Sequence, residues 1–471
     1  MKPSSRLAAC IAAIAALALL AGCASSRIDE AVDHTNARAA AFTGGKLTLD
    51  RTPADRDRQA ALSRVLLAQP LSQDAAVQLA LANSPDVQAL LAQAGVDIAA
   101  AAQAGRLPNP VFAFERLRLG SELELGRLLS FGLLDLLLLP QRAAWGQQQA
   151  QQARLQLTGA VVDHVTRVRQ DWVRAVAAQQ SLSYAEQVQQ SAEASAELAL
   201  RMQRVGNFSK LQRARQQVFY ADATTELAMA RHAVAATREA LVRSLGLDDA
   251  QATQLRLPER LAELPKAPRP PADVAAAARA ERLDVQLARA QVDVAGRAQG
   301  LQLLGSFVDV EAGVRRDTVF DGAEGTPGTP GTPGTRNTRR GFELALRLPL
   351  FDWGGAQRDA LNAQSLAAAH RYDAVARSAS SQLREGYSAY RTAYDIARHY
   401  RDEIVPLRQS MADENVLRYN GMLIGVFELL AEARDQVASV RRAIDAQQQF
   451  WLADAALAAT VIGRPADASA R

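Results

Sequence analysis

Between Gln141 and Leu257 the chain contains no proline, and this uninterrupted span limits its fold more than any other feature. Within it Ala150, Ala153, Leu157, Val161, Val165, Val168, Trp172 and Val176 follow one another by three or four residues, which lays one apolar stripe along a helix. A helix from about 141 to 204 would run roughly 95 Å at 1.5 Å per residue. A second span, about 355 to 419, is broken by Pro406, which has no N–H to donate and clashes one turn back, so a kink is predicted there. The stripe repeats nearer to about 3.7 than 3.5 residues, which argues against a tight left-handed coiled coil. Straighter helices can stand side by side around a wide cylinder. A solid antiparallel bundle fits the same periodicity. Aromatic residues make up only 5% of the chain, which favours long helices packed through small side chains over a bulky globular core.

Short alternating segments interrupt the helical pattern. Phe342, Leu344, Leu346 and Leu348 alternate with Glu343, Ala345 and Arg347, and Val308, Val310, Ala312 and Val314 with Asp309, Glu311, Gly313 and Arg315. Earlier in the chain Leu123, Leu125, Leu129, Phe131 and Leu133 alternate with Glu124, Gly126, Ser130 and Gly132, a pattern broken by Arg127 and Leu128. Strict alternation gives a strand one apolar and one polar face. Strands of about ten residues with one apolar face suit a membrane barrel with a watery lumen. Only closed barrels or helices can cross lipid, because every backbone polar group there needs a partner. Gly322 to Arg340, with three Gly-Thr-Pro copies, cannot pack a core and is expected as an exposed loop.

Three motifs recur in the same order. Ser84-Pro85-Asp86-Val87-Gln88 has a counterpart in Arg282-Leu283-Asp284-Val285-Gln286. Leu139-Pro140 with Trp145-Gly146 recurs as Leu348-Pro349 with Trp353-Gly354, and Gly206-Asn207-Phe208 with Leu211, Ala214 and Arg215 as Gly425-Val426-Phe427 with Leu430, Ala433 and Arg434. Ordered recurrence with a slowly growing offset predicts an internal duplication. The seam is residues 257–271, where five prolines from Pro258 to Pro271 exclude a regular helix. The first repeat is expected over 71–256, with strands at about 110–139 and long helices at about 141–246. The second is expected over 272–462, with strands at about 303–351 and helices at about 355–462, followed by a tail over 463–471.

The N-terminus reads as an export signal. Met1 to Arg6 is a short positive region, and Leu7 to Leu20 is an apolar run too short for a comfortable membrane span. Leu20-Ala21-Gly22-Cys23 resembles the lipobox of bacterial lipoproteins. That resemblance implies a signal peptide over 1–22, a covalent lipid such as palmitate on Cys23, and a lipid-anchored segment over 23–70. Ala24, not Asp, follows the cysteine, which in that class implies export to the outer membrane. Acyl chains contribute roughly 0.8 kcal/mol per buried methylene. Removing 1–22 takes away Lys2 and Arg6 and no acid, so the formal charge of +4 falls to +2. The remaining basic residues are dispersed, which excludes a nucleic-acid partner. Cys23 would be the one mature cysteine, leaving no intrachain disulfide.

Leu348-Pro349-Leu350-Phe351-Asp352-Trp353-Gly354-Gly355 resembles the strand-to-helix junction of the TolC-like outer-membrane efflux proteins. Ile404-Val405-Pro406, Arg418-Tyr419 with Gly421, and Phe427 to Ala433 resemble that family's second helical tip, and Pro108-Asn109-Pro110 resembles its entry into the first strand. The likeness runs from about Leu71 to Ile462. It implies a mainly α protein with membrane β: a homotrimer in which each chain gives four strands to a twelve-stranded barrel, continued by a long periplasmic α-helical barrel. It also implies that the segment before Leu71, the seam and the tail lie around the helical barrel's equator. The tips would close the pore and dock a periplasmic adaptor linked to an inner-membrane pump, of the RND, ABC or a similar class. The first tip would hold Gly206, Asn207 and Phe208. The second would lie between Gly421 and Gly425, glycine supporting both reversals. Family members often carry an aspartate pair past the second tip. Glu428 falls on the first of those positions; Ala431 occupies the second, with Glu432 next. Three copies of Glu428 would favour cations at a constriction, with Glu432 the weaker candidate.

No enzyme is expected. His34, His164, His232, His370 and His399 are scattered, no zinc-like cluster exists, and there is no P-loop or dinucleotide fingerprint. No metal or cofactor is implied beyond the lipid on Cys23. The function expected is the passive exit duct of a tripartite efflux pump for small molecules. A type I protein-secretion duct and a non-channel periplasmic coiled-coil lipoprotein are the alternatives.

Overall fold

The computed structural model describes residues 23–119, 122–305, 309–320, 336–347, 351 and 353–465. The expected signal peptide, the Gly-Thr-Pro copies and half of the Leu348–Gly355 junction lie outside these. The elements are α1 (Cys23–Thr43), α2 (Pro53–Leu67), α3 (Gln73–Asn83), α4 (Pro85–Ala104), β1 (Val111–Leu119), β2 (Glu122–Gly132), α5 (Leu133–Arg204), α6 (Lys210–Leu245), α7 (Asp249–Gln254), α8 (Pro271–Glu281), α9 (Leu283–Gly305), β3 (Asp309–Phe320), β4 (Arg336–Arg347), α10 (Gly355–His399), α11 (Val405–Asn420) and α12 (Val426–Ile462). They form two compact units, each drawing on both halves of the chain.

The first unit comprises residues 23–94, 155–286 and 376–465 of the described chain and is helical. The stripe predicted on α5 is its spine: Leu157, Val161, Val165, Val168, Trp172 and Val176 are all buried. Each such aliphatic side chain contributes roughly 1.5–3 kcal/mol relative to exposure. The N-terminal segment covers part of this stripe. Thr35 and Thr158 share a hydrogen bond of 3.2 Å, Trp172 Nε1 donates to the Leu71 carbonyl at 2.8 Å, and Arg169 lies 4.6 Å over the Phe42 ring. Thr52 and Asp55 form a capping box on α2, and these hydrogen bonds, together with Arg58, hold the Asp55 carboxyl far below the usual carboxylate range. The proline seam is irregular from Leu255 to Pro270, as the prolines require. It is strapped onto α10 and α12 by Tyr394, Gln447 and Trp451, whose polar atoms donate to seam carbonyls.

Two glycines end long helices against the start of others. Gly246 closes α6 at φ +67°, and a Cβ there would meet Ser84 Cα and Pro85 Cδ at 2.6 Å. Gly463 closes α12 at φ +89°, and a Cβ there would meet the Leu283 nitrogen at 2.9 Å. Both positions need the left-handed conformation and a bare Cα. The neighbours they touch, Ser84-Pro85 and Leu283-Asp284, belong to the first recurring motif.

At Pro406 the helix changes its hydrogen-bonding pattern. A π-helical turn, Tyr400–Ile404, precedes it, so the proline falls within the first two residues of α11. Widening the ladder by one residue accommodates the missing donor and the ring.

The second unit comprises residues 95–154 and 287–375 and carries one antiparallel sheet in the order β1-β2-β3-β4. Two expectations change here. The strands of the first pair end at Gly132, not near 139: Leu133–Leu139 is helical and Pro140 lies inside α5. An unbroken apolar run carries no period that separates strand from helix. The expected loop also shortens, because Arg336–Arg340 belong to β4 and pair with residues 316–320 of β3.

Residues directly opposite one another in antiparallel strands point to the same face. The register therefore sorts the sheet. One face carries Phe112–Leu129–Val314–Phe342 in one row, Phe131–Ala312–Leu344 in the next, then Val310–Leu346. The other carries an ion cluster in which Arg315 reaches Asp317 at 3.0 Å, Glu115 at 3.5 Å and Glu343 at 3.9 Å. Over these rows the alternation read from sequence places apolar residues on one face, as expected; further along the strands the same face carries Arg127, Arg316 and Arg340.

Candidate functional site

Two regions carry the expected function: the sheet and the two helical tips. On the sheet, the apolar face is open. Phe342 is 89% exposed, Val314 64%, Phe112 62% and Leu344 62%. Among the described residues neither edge is paired, since β1 and β4 each bond one neighbour. Every residue of β1 is exposed. An unpaired edge beside an exposed apolar face is unstable in water and impossible in lipid. Among the described residues no helix is long and apolar enough to cross a membrane.

The first tip joins α5 to α6. Gly206 takes φ +81°, and the Asn207 N–H donates to the Met202 carbonyl at 2.9 Å. Ser209 and Gln212 then form the capping box that opens α6. Val205 is 70% exposed, whereas Phe208 is buried and anchors the reversal instead of presenting a ring to solvent.

The second tip, between α11 and α12, differs from the sequence expectation. Gly421 and Gly425 both have negative φ, and the left-handed residue is Met422 at φ +60°. A side chain in this conformation is strained, and Met422 projects almost fully into solvent beside exposed Leu423.

Glu428 lies in the first turn of α12 and is exposed, a favourable place for a carboxylate at the helix's positive end. No ion pair joins it among the described residues. Arg434 does not answer it, because its guanidinium lies over the Phe219 ring at 5.5 Å. Glu432 is one turn further along the same face but is held across the hairpin: Arg408 Nη1 donates to it at 3.2 Å and also approaches Asp435 at 3.6 Å. The two hairpins are tied to each other by Arg441 and Glu226 at 2.8 Å. Sequence spacing missed Arg408, which sits 24 residues before Glu432 and meets it only after the chain reverses.

The described histidines stand apart from one another. His164 is buried, which pushes its imidazole pKa down, and His399 Nδ1 lies 3.2 Å from Glu403 in the same helical stretch. Among the described residues no group of His, Cys, Asp and Glu is placed to hold a metal ion.

This pairing of long helical hairpins with one open four-stranded sheet is the fold of the TolC-like outer-membrane channels. A membrane protein from Pseudomonas aeruginosa matches at a TM-score of 0.65 with 19% identity, over 86% of this chain and 93% of that one. The outer membrane protein VceC of Vibrio cholerae matches at 0.65 with 13% identity, over 87% and 97%. The open state of the MtrE outer membrane channel of Neisseria gonorrhoeae matches at 0.64 with 16% identity, over 86% and 89%. No protein-family model and no curated protein matches the sequence.

Proposed function

We propose that the chain is the outer-membrane duct of a tripartite efflux system, a passive conduit and not an enzyme. The observation that carries this is the sheet: four strands, two open edges, one exposed apolar face and one ionic face. Four strands cannot close a membrane barrel, whose smallest form has about eight. Copies of the chain must therefore share one cylinder. Three copies give twelve strands, the number the family likeness implies, and the ionic face lines the lumen. The three recurring motifs and the matched glycine ends at Gly246 and Gly463 support an ancestral duplication of the helix–hairpin unit.

The helices continue the bore through the periplasm, and the two tips dock a periplasmic adaptor that joins an inner-membrane pump. Exposed Val205, Met422 and Leu423 beside Gly206, Asn207, Gly421 and Gly425 supply the apolar contact. Glu428 faces the constriction; Glu432, neutralised by Arg408, stiffens the second hairpin. In planar bilayers the purified protein gives discrete single-channel steps with cation preference, and Glu428→Gln lowers that preference by severalfold with assembly intact. A protein that is monomeric and silent sinks the duct, while an unchanged reversal potential in Glu428→Gln removes that carboxylate from the constriction.

Cys23 supplies a lipid anchor. The wild type should incorporate labelled palmitate and Cys23→Ser should incorporate none; equal labelling would refute the anchor.

A further inference from the structure

The apolar face of the sheet changes character along its length. All helical connections leave one end of the sheet: α4 into β1, β2 into α5, α9 into β3 and β4 toward α10. The strand ends Leu119 and Glu122, and Phe320 and Arg336, pair at the other. From the helical end the rows are apolar as far as Phe112–Leu129–Val314–Phe342. The next row is Phe114–Arg127–Arg316–Arg340. Beyond it come Arg116–Leu125–Thr318–Thr338 and Arg118–Leu123–Phe320–Arg336.

Six arginines therefore crowd the hairpin end of this face. Three of them, Arg127, Arg316 and Arg340, stand directly opposite one another on adjacent strands, where like charges repel. No acid answers them. The described acids of the strands, Glu115, Glu122, Glu124, Glu311, Asp317 and Glu343, all point to the opposite face. There Arg315 has three carboxylates around it, whereas none of the six has an ion pair in the described chain. The one contact among them is Arg336, 5.5 Å over the Phe320 ring.

We propose that this band binds the phosphate groups of anionic lipid headgroups in the leaflet at the hairpin end. The inference rests on the duct reading, which puts this face against lipid. Barrel proteins place their long loops outside, and the long β3–β4 connection marks the hairpin end as external. The band begins where the apolar rows stop, at the level where acyl chains give way to headgroups. Guanidinium groups form bidentate hydrogen bonds with phosphate, and an array two to three rows deep matches a headgroup bearing more than one phosphate. The long arginine stems continue the apolar surface while their heads reach the phosphates.

The test uses the full-length assembled protein. Wild type and Arg127→Gln/Arg316→Gln/Arg340→Gln are incubated in detergent with diphosphoryl lipid A, phosphatidylcholine or inorganic phosphate, and retained lipid is counted by native mass spectrometry. Wild type should retain lipid A over phosphatidylcholine by about a hundredfold, the product of roughly fivefold for each of three arginines near a charged surface. The triple variant, which keeps Arg116, Arg118 and Arg336, should lose most of that preference while keeping its assembled mass and its conductance in neutral bilayers. Equal retention by wild type, or undiminished preference in the variant, overturns the proposal. Displacement of lipid A by millimolar inorganic phosphate reassigns the band to free phosphate and also overturns it. If the triple variant does not assemble, Arg340→Gln alone is read in the same assay. Wild type that conducts without selecting lipid A defeats this inference alone; wild type that neither assembles nor conducts defeats the duct reading as well.

Discussion

Phe342→Lys/Leu344→Lys abolishes the assembled form of the protein in membranes, while Ala345→Lys, between them in the chain, leaves it standing. Phe342 and Leu344 lie on the apolar face of edge strand β4, are 89% and 62% exposed, and cross from Val314 and Ala312. In a lipid-facing position a lysine costs about 2–4 kcal/mol near the bilayer midplane, falling toward the interface. Two such charges cost about 4–8 kcal/mol in each copy, the same size as the margin of about 5–15 kcal/mol by which most folded proteins are stable. Ala345 lies on the opposite face, directly across from Glu311, where a lysine finds an acid. The readout is the fraction recovered from outer membranes as an unheated oligomer on a gel. Equal loss for both variants would mean that the faces are not lipid and lumen. No loss for either would mean that the sheet does not enter the membrane.

That contrast exists because strand faces are legible in sequence. A period of two is local, so alternation in residues 309–315 and 342–347 assigns each side chain without knowledge of its partners. The long helices were legible for the same reason, through the stripe from Leu157 to Val176. What sequence could not show depends on chain reversal or on a missing period. Leu133–Leu139 is apolar throughout, so neither pattern marks where β2 ends and α5 begins. At the second tip two glycines suggested the turn, yet the chain reverses on Met422, because the hairpin's closure and not local preference decides which residue takes positive φ. Glu432 looked like a free carboxylate until the hairpin brought Arg408 to it. The arginine band was not legible, because the basic residues are dispersed along the chain and the alignment of Arg127, Arg316 and Arg340 in one row requires the register of three strands.

The first unit offers a prediction independent of any membrane. Phe450 is completely buried between Tyr390 and Tyr394, with ring centroids 5.6 and 5.7 Å away, and Trp451 stands edge-on at 5.0 Å. This cluster holds the proline seam by its polar rims. The Tyr394 hydroxyl donates to the Pro265 carbonyl at 3.1 Å, the Tyr387 hydroxyl to the Arg269 carbonyl at 3.0 Å, and the Arg269 N–H to the Tyr390 hydroxyl at 3.1 Å. Arg269 also pairs with Asp454 at 2.8 Å, a carboxyl whose pKa burial pushes up. A buried phenylalanine cut to alanine costs about 3–5 kcal/mol, the transfer term plus the cavity left behind. Phe450→Ala should therefore lower the melting temperature of the helical unit and loosen the two tyrosines that grip the seam. Arg260 and Lys266 lie exposed within that seam, each followed by a residue other than proline, so limited trypsin digestion should cut the variant there at a rate at which the wild type stays whole. Phe450→Leu keeps most of the volume and should lose less than about 1.5 kcal/mol, with little added cleavage. A Phe450→Ala protein with wild-type melting and an uncut seam would show that the strap is held by its backbone contacts and prolines, and that the aromatic cluster contributes nothing to it.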